Sequence, residues 1–220
     1  MAILRKSFAA ACTSALVAVS MFVAPVVEAC TRVVYLGAND QVITARSMDW
    51  KVDVGTNLWI FPRGMDRSGE AGPNSVKWKS KYGSVISSGY DISTTDGMNE
   101  AGLVANVLWL VESEYPKYDG TGPGLSIAAW AQYVLDNFAT VDEAVKAPSA
   151  NPFTIVTDKV PGESRLATPH LSMSDASGDS ALLEYIDGHQ VTHHSREYQL
   201  MTNLPTFDEQ LALPSHPIQN

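Results

Sequence analysis

Alternating apolar and polar positions dominate the chain after Cys30. The segments Thr31–Leu36 and Val42–Ser47 alternate with a period of two, are rich in β-branched residues, and are separated by the polar stretch Gly37-Ala38-Asn39-Asp40. This pattern predicts an opening β-hairpin whose second strand returns beside Cys30. Similar patterns predict the remaining strands at 58–61, 84–88, 93–95, 103–110, 154–157, 170–174, 181–186, 190–194 and 199–203.

The middle of the chain changes to a helical period. Between 124 and 138 apolar residues recur mostly at spacings of three and four, and 141–147 predicts a second helix with Thr140 as its N-cap and Pro148 beyond its end. Asp96-Gly97 and Asp187-Gly188 predict turns between strands. Strands, then helices, then strands indicate one α+β domain with largely antiparallel sheets.

The first 29 residues have the pattern of a secretory signal peptide. Arg5 and Lys6 precede an apolar, small-residue run over 7–23, and Val27-Glu28-Ala29 matches the small-x-small pattern cut by signal peptidase. We therefore predict a mature chain over 30–220 that is periplasmic or secreted and has no stable membrane anchor. A transmembrane anchor is the alternative for this run, but it is short for a span and Pro25 interrupts its end.

A lipoprotein signal is a second alternative for the same residues. Such a signal also ends in a small residue followed by cysteine, which is then acylated at sulfur and nitrogen. Glu28 fits this pattern poorly, because small or apolar residues are usual at that position. In this alternative the protein is a lipid-anchored periplasmic binding or structural protein, with Cys30 as its acylation site.

Charge and cysteine content limit the function classes. The formal net charge is −9, and loss of Arg5, Lys6 and Glu28 with the leader makes it one unit more negative. Such an acidic chain repels phosphate backbones, which argues against nucleic-acid binding and favours a small-molecule substrate. Cys12 leaves with the leader, so Cys30 is an unpaired thiol at the first mature position. That thiol then shares its residue with a free α-amine of suitable basicity.

Four motifs in the predicted mature chain resemble the choloylglycine hydrolases and penicillin V acylases. They are Cys30-Thr31, Arg46-x-x-Asp49-Trp50, Asp96-Gly97-Met98-Asn99-Glu100-x-Gly102-Leu103, and Met201-Thr202-Asn203-x-Pro205-Thr206-Phe207-Asp208. The resemblance implies a four-layer αββα N-terminal-nucleophile hydrolase fold, with two mainly antiparallel sheets between helices. It also implies hydrolysis of linear amide C–N bonds, and penicillin V, N-acyl homoserine lactones and conjugated bile salts are the candidate substrates.

The same resemblance implies roles for individual residues. Cys30 is the nucleophile, Arg46 lies beside its sulfur and favours thiolate, and Asp49 orients the α-amine. Asn203 and the backbone N–H of Trp109 supply the oxyanion donors, with Asn106 as an alternative near Trp109. No cofactor is required.

Aromatic and histidine residues suggest further sites. Trp50 and Trp109 are candidates to bind an aromatic or long apolar acyl group, although core packing is the alternative for large aromatics. The adjacent His193 and His194 point to opposite faces of a strand and have no further ligands at useful spacing, so we predict no metal site. A papain-like cysteine protease is disfavoured, because no histidine has the expected surroundings.

The resemblance also bears on length and assembly. It implies a homotetramer, and it implies a longer chain with a further active-site arginine downstream of Asn203. We therefore expect the sequence to be truncated at its C-terminus, after the loop-like stretch Leu213-Pro214-Ser215-His216-Pro217.

Overall fold

The computed structural model describes residues 29–147 and 153–213 of the chain. The strands are β1 (Thr31–Leu36), β2 (Val42–Ser47), β3 (Leu58–Phe61), β4 (Asp66–Ser68), β5 (Lys77–Lys79), β6 (Ser84–Gly89), β7 (Ser93–Asn99), β8 (Val104–Trp109), β9 (Gly124–Ser126), β10 (Thr154–Val156), β11 (Pro169–Ser174), β12 (Ser180–Ile186), β13 (His189–His194) and β14 (Leu200–Thr202). The helices are α1 (Trp130–Asn137), α2 (Val141–Lys146) and α3 (Phe207–Ala212). The predicted leader lies outside the described residues, except for Ala29.

Two antiparallel sheets form the centre of the fold. The larger has seven strands in the order β13-β12-β11-β8-β7-β6-β3, and the smaller has three in the order β14-β1-β2. Two short pairs, antiparallel β4-β5 and parallel β9-β10, lie outside these sheets. The predicted α+β class with largely antiparallel sheets is therefore confirmed.

The sheets pack face to face, and helices cover the larger one. Apolar side chains of α1, α2 and the adjoining single turn of 3₁₀-helix share a core with β6, β8, β11 and β12. Across the other interface, the guanidinium of Arg32 on β1 donates to Ser180 Oγ and Met173 O of the larger sheet. The outer face of the smaller sheet exposes Val33, Tyr35 and Ile43. Three of the four expected layers thus lie within the described residues.

The predicted opening hairpin is confirmed at both strands. β1 and β2 pair in register from Thr31 with Ser47 to Leu36 with Val42, and Asn39 and Asp40 adopt positive φ in the turn. Since β2 ends opposite the start of β1, the segment after Ser47 runs beside Cys30. The hairpin register therefore brings the Cys30-Thr31 motif beside the motif that begins at Arg46.

The turn predicted at Asp96-Gly97 is wrong, because both residues lie within β7. A side chain at Gly97 would meet Ile86 Cγ2 at 2.6 Å and Leu135 Cδ1 at 2.7 Å. The glycine therefore permits close packing of α1 on the sheet instead of making a turn. The real turn follows Asn99, whose side-chain oxygen accepts from the N–H groups of Ala101 and Leu103.

The helix predicted over 124–138 begins later than expected. Residues Gly124–Ser126 form β9, which pairs in parallel with β10, and a 3₁₀ turn precedes α1. Long-range strand pairing thus overrides the local helical period. The second helix is confirmed, with the Thr140 hydroxyl accepting from Glu143 N at 3.2 Å. Pro148 lies outside the described residues.

Three elements were missed in the sequence. The β4-β5 hairpin has strands of only three residues each, too short to show a period. Helix α3 begins with a capping box, in which Thr206 and Glu209 bond reciprocally, and this T-x-x-E pattern was readable in the sequence.

The Asp187-Gly188 turn between β12 and β13 is confirmed by positive φ at both residues. Residues 214–220, which include most of the predicted terminal loop, lie outside the described part.

Candidate active site

Cys30 lies immediately before β1 and faces the interior between the sheets. Only 4% of the residue is exposed, and it packs with Leu108, Leu182, Met201 and Phe207. Its Sγ lies 3.7 Å from the main-chain oxygen of Asp49. Cys30 nevertheless lines a cavity between the sheets and the loops around it. The thiol is thus largely shielded from bulk solvent but open to a ligand.

Arg46 is fixed at the same cavity by a carboxylate and a carbonyl. Its Nε lies 2.6 Å from Asp96 Oδ1, and its Nη2 donates to Val107 O at 2.5 Å. Asn106 Nδ2 donates to the same Asp96 oxygen at 2.9 Å. Asp96 therefore orients the predicted active-site cation. Sequence reasoning missed this role because it assigned Asp96 to a turn, although the residue belonged to a recognised motif.

Asp49 is exposed, and its main-chain oxygen lies 3.7 Å from Cys30 Sγ. Its Oδ2 accepts from Ser47 Oγ at 3.1 Å, and that hydroxyl oxygen accepts from Thr31 N at 3.2 Å. This chain of bonds links the carboxylate to the residue next to Cys30. Asp49 is therefore close enough to the start of β1 to orient an amine there, which is the role that the resemblance implies.

The two predicted oxyanion donors bond to one another. Trp109 N–H donates to Asn203 Oδ1 at 3.1 Å, and Asn203 is almost fully buried. An amide whose oxygen is held in this way keeps its NH₂ as the donor end. In this arrangement the Trp109 N–H orients the Asn203 amide, and its Nδ2 is the donor end of that side chain. Asn106, the alternative considered near Trp109, instead supports Asp96.

A buried, hydrogen-bonded carboxylate supports the corner that carries Asn203. Both carboxylate oxygens of Glu184 accept from Phe207 N–H, and Glu184 Oε1 lies 3.0 Å from His170 Nδ1. Burial alone would raise the pKa of Glu184, but the bonds from His170 and Phe207 N–H hold that pKa below its ordinary value. The charged carboxylate thus anchors the start of α3, four residues after Asn203. Sequence reasoning missed this anchor, because a glutamate within an apolar strand carries no local signal of its partners.

The cavity above Cys30 has a volume of about 400 Å³ and is mainly apolar, as pockets for small molecules usually are. Trp50 and Trp109 form part of its wall, with ring centroids 5.1 Å apart and planes tilted by 53°. The indole N–H of Trp50 donates to the Tyr90 hydroxyl at 3.0 Å. The two predicted substrate-binding tryptophans therefore meet beside the thiol rather than being dispersed in the core.

Residues 29–147 and 153–213 contain neither a metal-binding cluster nor a membrane-spanning helix. No group of three or more His, Cys, Asp or Glu side chains is arranged to hold a metal ion there. His193 and His194 face different acids: His193 Nε2 lies 3.5 Å from Glu184 Oε2, and His194 Nε2 is hydrogen-bonded to Asp179 Oδ2 at 2.7 Å. In the same part of the chain, no helix has both the length and the apolar character needed to span a bilayer.

The sequence model of a family of linear amide C–N hydrolases matches most of the chain. The match covers residues 30–214, from the candidate nucleophile past the Asn203 corner, and the family is described as the choloylglycine hydrolase family. The chain belongs to the choloylglycine hydrolase family. Its resemblance to this family in the four motifs is therefore confirmed.

Relatives and solved structures within the choloylglycine hydrolase family support the same assignment. A penicillin V acylase from Pectobacterium atrosepticum is 62% identical over 93% of this chain and 57% of its own length. The structure of a penicillin V acylase from Agrobacterium tumefaciens is 77% identical, covers 83% of this chain and 55% of its own, and superposes with a TM-score of 0.77. The chain thus spans somewhat more than half the length of these relatives.

Bile acid hydrolases are more distant members. A conjugated bile acid hydrolase structure from Clostridium perfringens is 26% identical over 83% of this chain and 56% of its own, with a TM-score of 0.70. A bile salt hydrolase/transferase from Bifidobacterium longum is also 26% identical, over 81% of this chain and 56% of its own length. Together with the two antiparallel sheets, these superpositions confirm the N-terminal-nucleophile hydrolase fold.

Proposed function

We propose that the protein is an exported amidase that hydrolyses linear amides through Cys30 at a free N-terminus. The observation that carries this proposal is the convergence of Cys30, Arg46 and Trp109 on one mainly apolar cavity, with Asn203 bonded to the main chain of Trp109. Among candidate amides, penicillin V is favoured over conjugated bile salts and N-acyl homoserine lactones. Support for this choice comes from the higher identity to penicillin V acylases and from the paired indoles, which suit a flat aromatic acyl group.

The proposed reaction has two steps. The α-amine of Cys30 takes the thiol proton, Sγ bonds to the amide carbon, and the resulting oxyanion accepts from Asn203 Nδ2. The C–N bond then breaks, and the departing amine takes the proton from the α-ammonium group. In the second step, water gives a proton to the α-amine and attacks the thioester. The C–S bond then breaks, Sγ takes the proton back from the α-ammonium group, and the carboxylic acid leaves.

Arg46 and Asp49 assist without bonding covalently to the substrate. The guanidinium of Arg46, held by Asp96, places positive charge at the cavity where thiolate forms. Asp49 accepts a hydrogen bond from the α-amine and fixes its direction. The proposal includes removal of residues 1–29 and a mature protein that is periplasmic or secreted. The homotetramer expected from the resemblance is part of the same proposal.

Replacing the nucleophile tests the proposal directly. In Cys30→Ser, we expect kcat for penicillin V to fall by about 10³-fold or more, because the alcohol forms an anion far less readily than a thiol. The exported parent should have a free Cys30 terminus by intact mass and N-terminal sequencing. Near-UV circular dichroism controls for folding. Parent-like turnover by Cys30→Ser contradicts the mechanism, and a diacylglyceryl adduct on Cys30 favours the lipid-anchored alternative.

A further inference from the structure

One arginine outside the set of reacting groups covers both indoles of the cavity wall. Arg165 Cζ lies 4.4 Å from the ring centroid of Trp109 and 5.1 Å from that of Trp50. Guanidinium groups at such distances are attracted to the faces of aromatic rings. Because one rigid planar group contacts both rings, it restrains their relative tilt as well as their positions.

The carboxylate of Glu163 holds Arg165 and connects it to the segment that contains Trp50. Glu163 Oε2 lies 2.5 Å from Arg165 Nε, while Glu163 Oε1 lies 3.0 Å from Lys51 Nζ. The bonds from Lys51 and Arg165 hold the pKa of Glu163 below its ordinary value. Since Lys51 directly follows Trp50, the Lys51–Glu163–Arg165 clamp ties the segment around 160–165 to one of the two indoles.

The segment that carries Arg165 is itself a wall of the cavity. Val160 N–H donates to Arg165 O at 3.1 Å, which closes a compact turn, and Val160 and Pro161 line the cavity beside Cys30. The clamp therefore fixes two wall segments against one another. A change in the clamp alters the width and shape of the space for an acyl group without touching the thiol.

We propose that Arg165 is a positioning residue that sets acyl-group selectivity by holding Trp50 and Trp109 as a tilted aromatic wall. This proposal rests on the proposed amidase function and deepens it. The substrates favoured by this wall are amides with a flat, apolar acyl group, whereas short acyl groups do not reach it. The effect should therefore fall on KM for aromatic acyl groups and not on kcat.

The test compares two amides that share one amine. In Arg165→Met, which keeps an unbranched side chain but removes the guanidinium, we expect KM for the phenoxyacetyl amide of 6-aminopenicillanic acid to rise about tenfold. We expect kcat to change less than twofold and KM for the acetyl amide of the same amine to stay unchanged. Arg165→Lys, which keeps the charge but not the planar fork, should give a smaller rise.

Two further measurements separate this inference from the proposed function. Arg63→Met is the matched control, because Arg63 pairs with Glu100 on the surface away from the indoles. Near-UV circular dichroism of the tilted indole pair should change in Arg165→Met and be unchanged in Arg63→Met, whether or not either protein turns over an amide. Trp50→Phe gives the reference spectrum without the pair.

The outcomes decide between distinct explanations. A rise in KM of equal size for both amides overturns the inference, because Arg165 would then recognise the shared amine with its carboxylate. A fall in kcat at constant KM, or an unchanged indole spectrum, also overturns it. If the parent hydrolyses neither amide, the proposed function fails, and the spectrum together with fluorescence titration by phenoxyacetate still tests the clamp.

Discussion

Two sets of ionisable side chains support the candidate site and differ chiefly in burial. Behind the Asn203 corner, the side chains of His170 and Glu184 are 0% and 1% exposed. At the aromatic wall, the side chains of Lys51 and Arg165 are 52% and 42% exposed. Both sets hold a functional residue in place. They do so at very different energetic cost, because a desolvated charge depends on its partner and a solvated charge is screened by water.

The difference in burial determines which of the two sets tolerates substitution. Loss of one member of a buried pair leaves the other member without compensation, so the inner set ties site geometry to the stability of the fold. Loss of an exposed member leaves water in its place, so the outer set can change in evolution without loss of folding. The Arg46–Asp96 pair is intermediate, with side chains 9% and 21% exposed. Effects of substitution should decrease in that order.

The largest effect is expected from Glu184→Gln. The amide keeps the shape of the side chain but removes the charge that faces His170, and only one of its two positions can accept from Phe207 N–H. We expect the free energy of unfolding at pH 7 to fall by about 3 kcal/mol, measured by urea titration. Glu197→Gln, an exposed glutamate without an ion pair among the described residues, is the control and should change it little.

The same variant gives a signed pH test. Because the folded-state pKa of Glu184 is depressed, its stabilisation is fully present above the ordinary carboxylate range and is lost as pH falls through the lower folded value. The difference in stability between parent and Glu184→Gln should therefore shrink below about pH 4.3. His170 and His193 face Glu184, and Asp208 faces His193, in both proteins. A difference that grows on acidification would contradict the assignment.

An intermediate effect is expected from Asp96→Asn. Loss of the charge that holds Arg46 Nε lets the guanidinium shift from the thiol, and we expect kcat/KM for penicillin V to fall by about 30-fold. The unfolding free energy should fall by only about 1 kcal/mol, since the pair is partly solvated. Asp66→Asn in the exposed pair with Lys79 removes an aspartate of equal size. Equal kinetic losses in both variants would mean that Asp96 does not act through Arg46.

The contrast in burial also explains which features the sequence could predict. The opening hairpin has a strict period and a polar turn, so its register follows locally, and the Thr140 cap is likewise a local bond. Asp96-Gly97 was misassigned as a turn because Gly97 is needed for the close packing of α1, and that contact is distant in sequence. Glu184 and Arg165 act through partners that no local pattern identifies. The motifs could identify the family and the candidate reacting groups, but the residues that support those groups depend on tertiary contacts.

The smallest effect is expected from Lys51→Met, which removes the outermost member of the clamp. Glu163 keeps its bond to Arg165 in this variant, and exposed ion pairs contribute little. We therefore expect KM for penicillin V to rise only about twofold, with kcat and the unfolding free energy unchanged. Raising the salt concentration should reduce the difference in KM between parent and variant, because added salt screens the exposed Lys51–Glu163 pair that only the parent contains. A salt-independent loss of kcat/KM as large as that of Asp96→Asn would show that water does not screen the outer set. The distinction between the buried and the exposed set would then not hold.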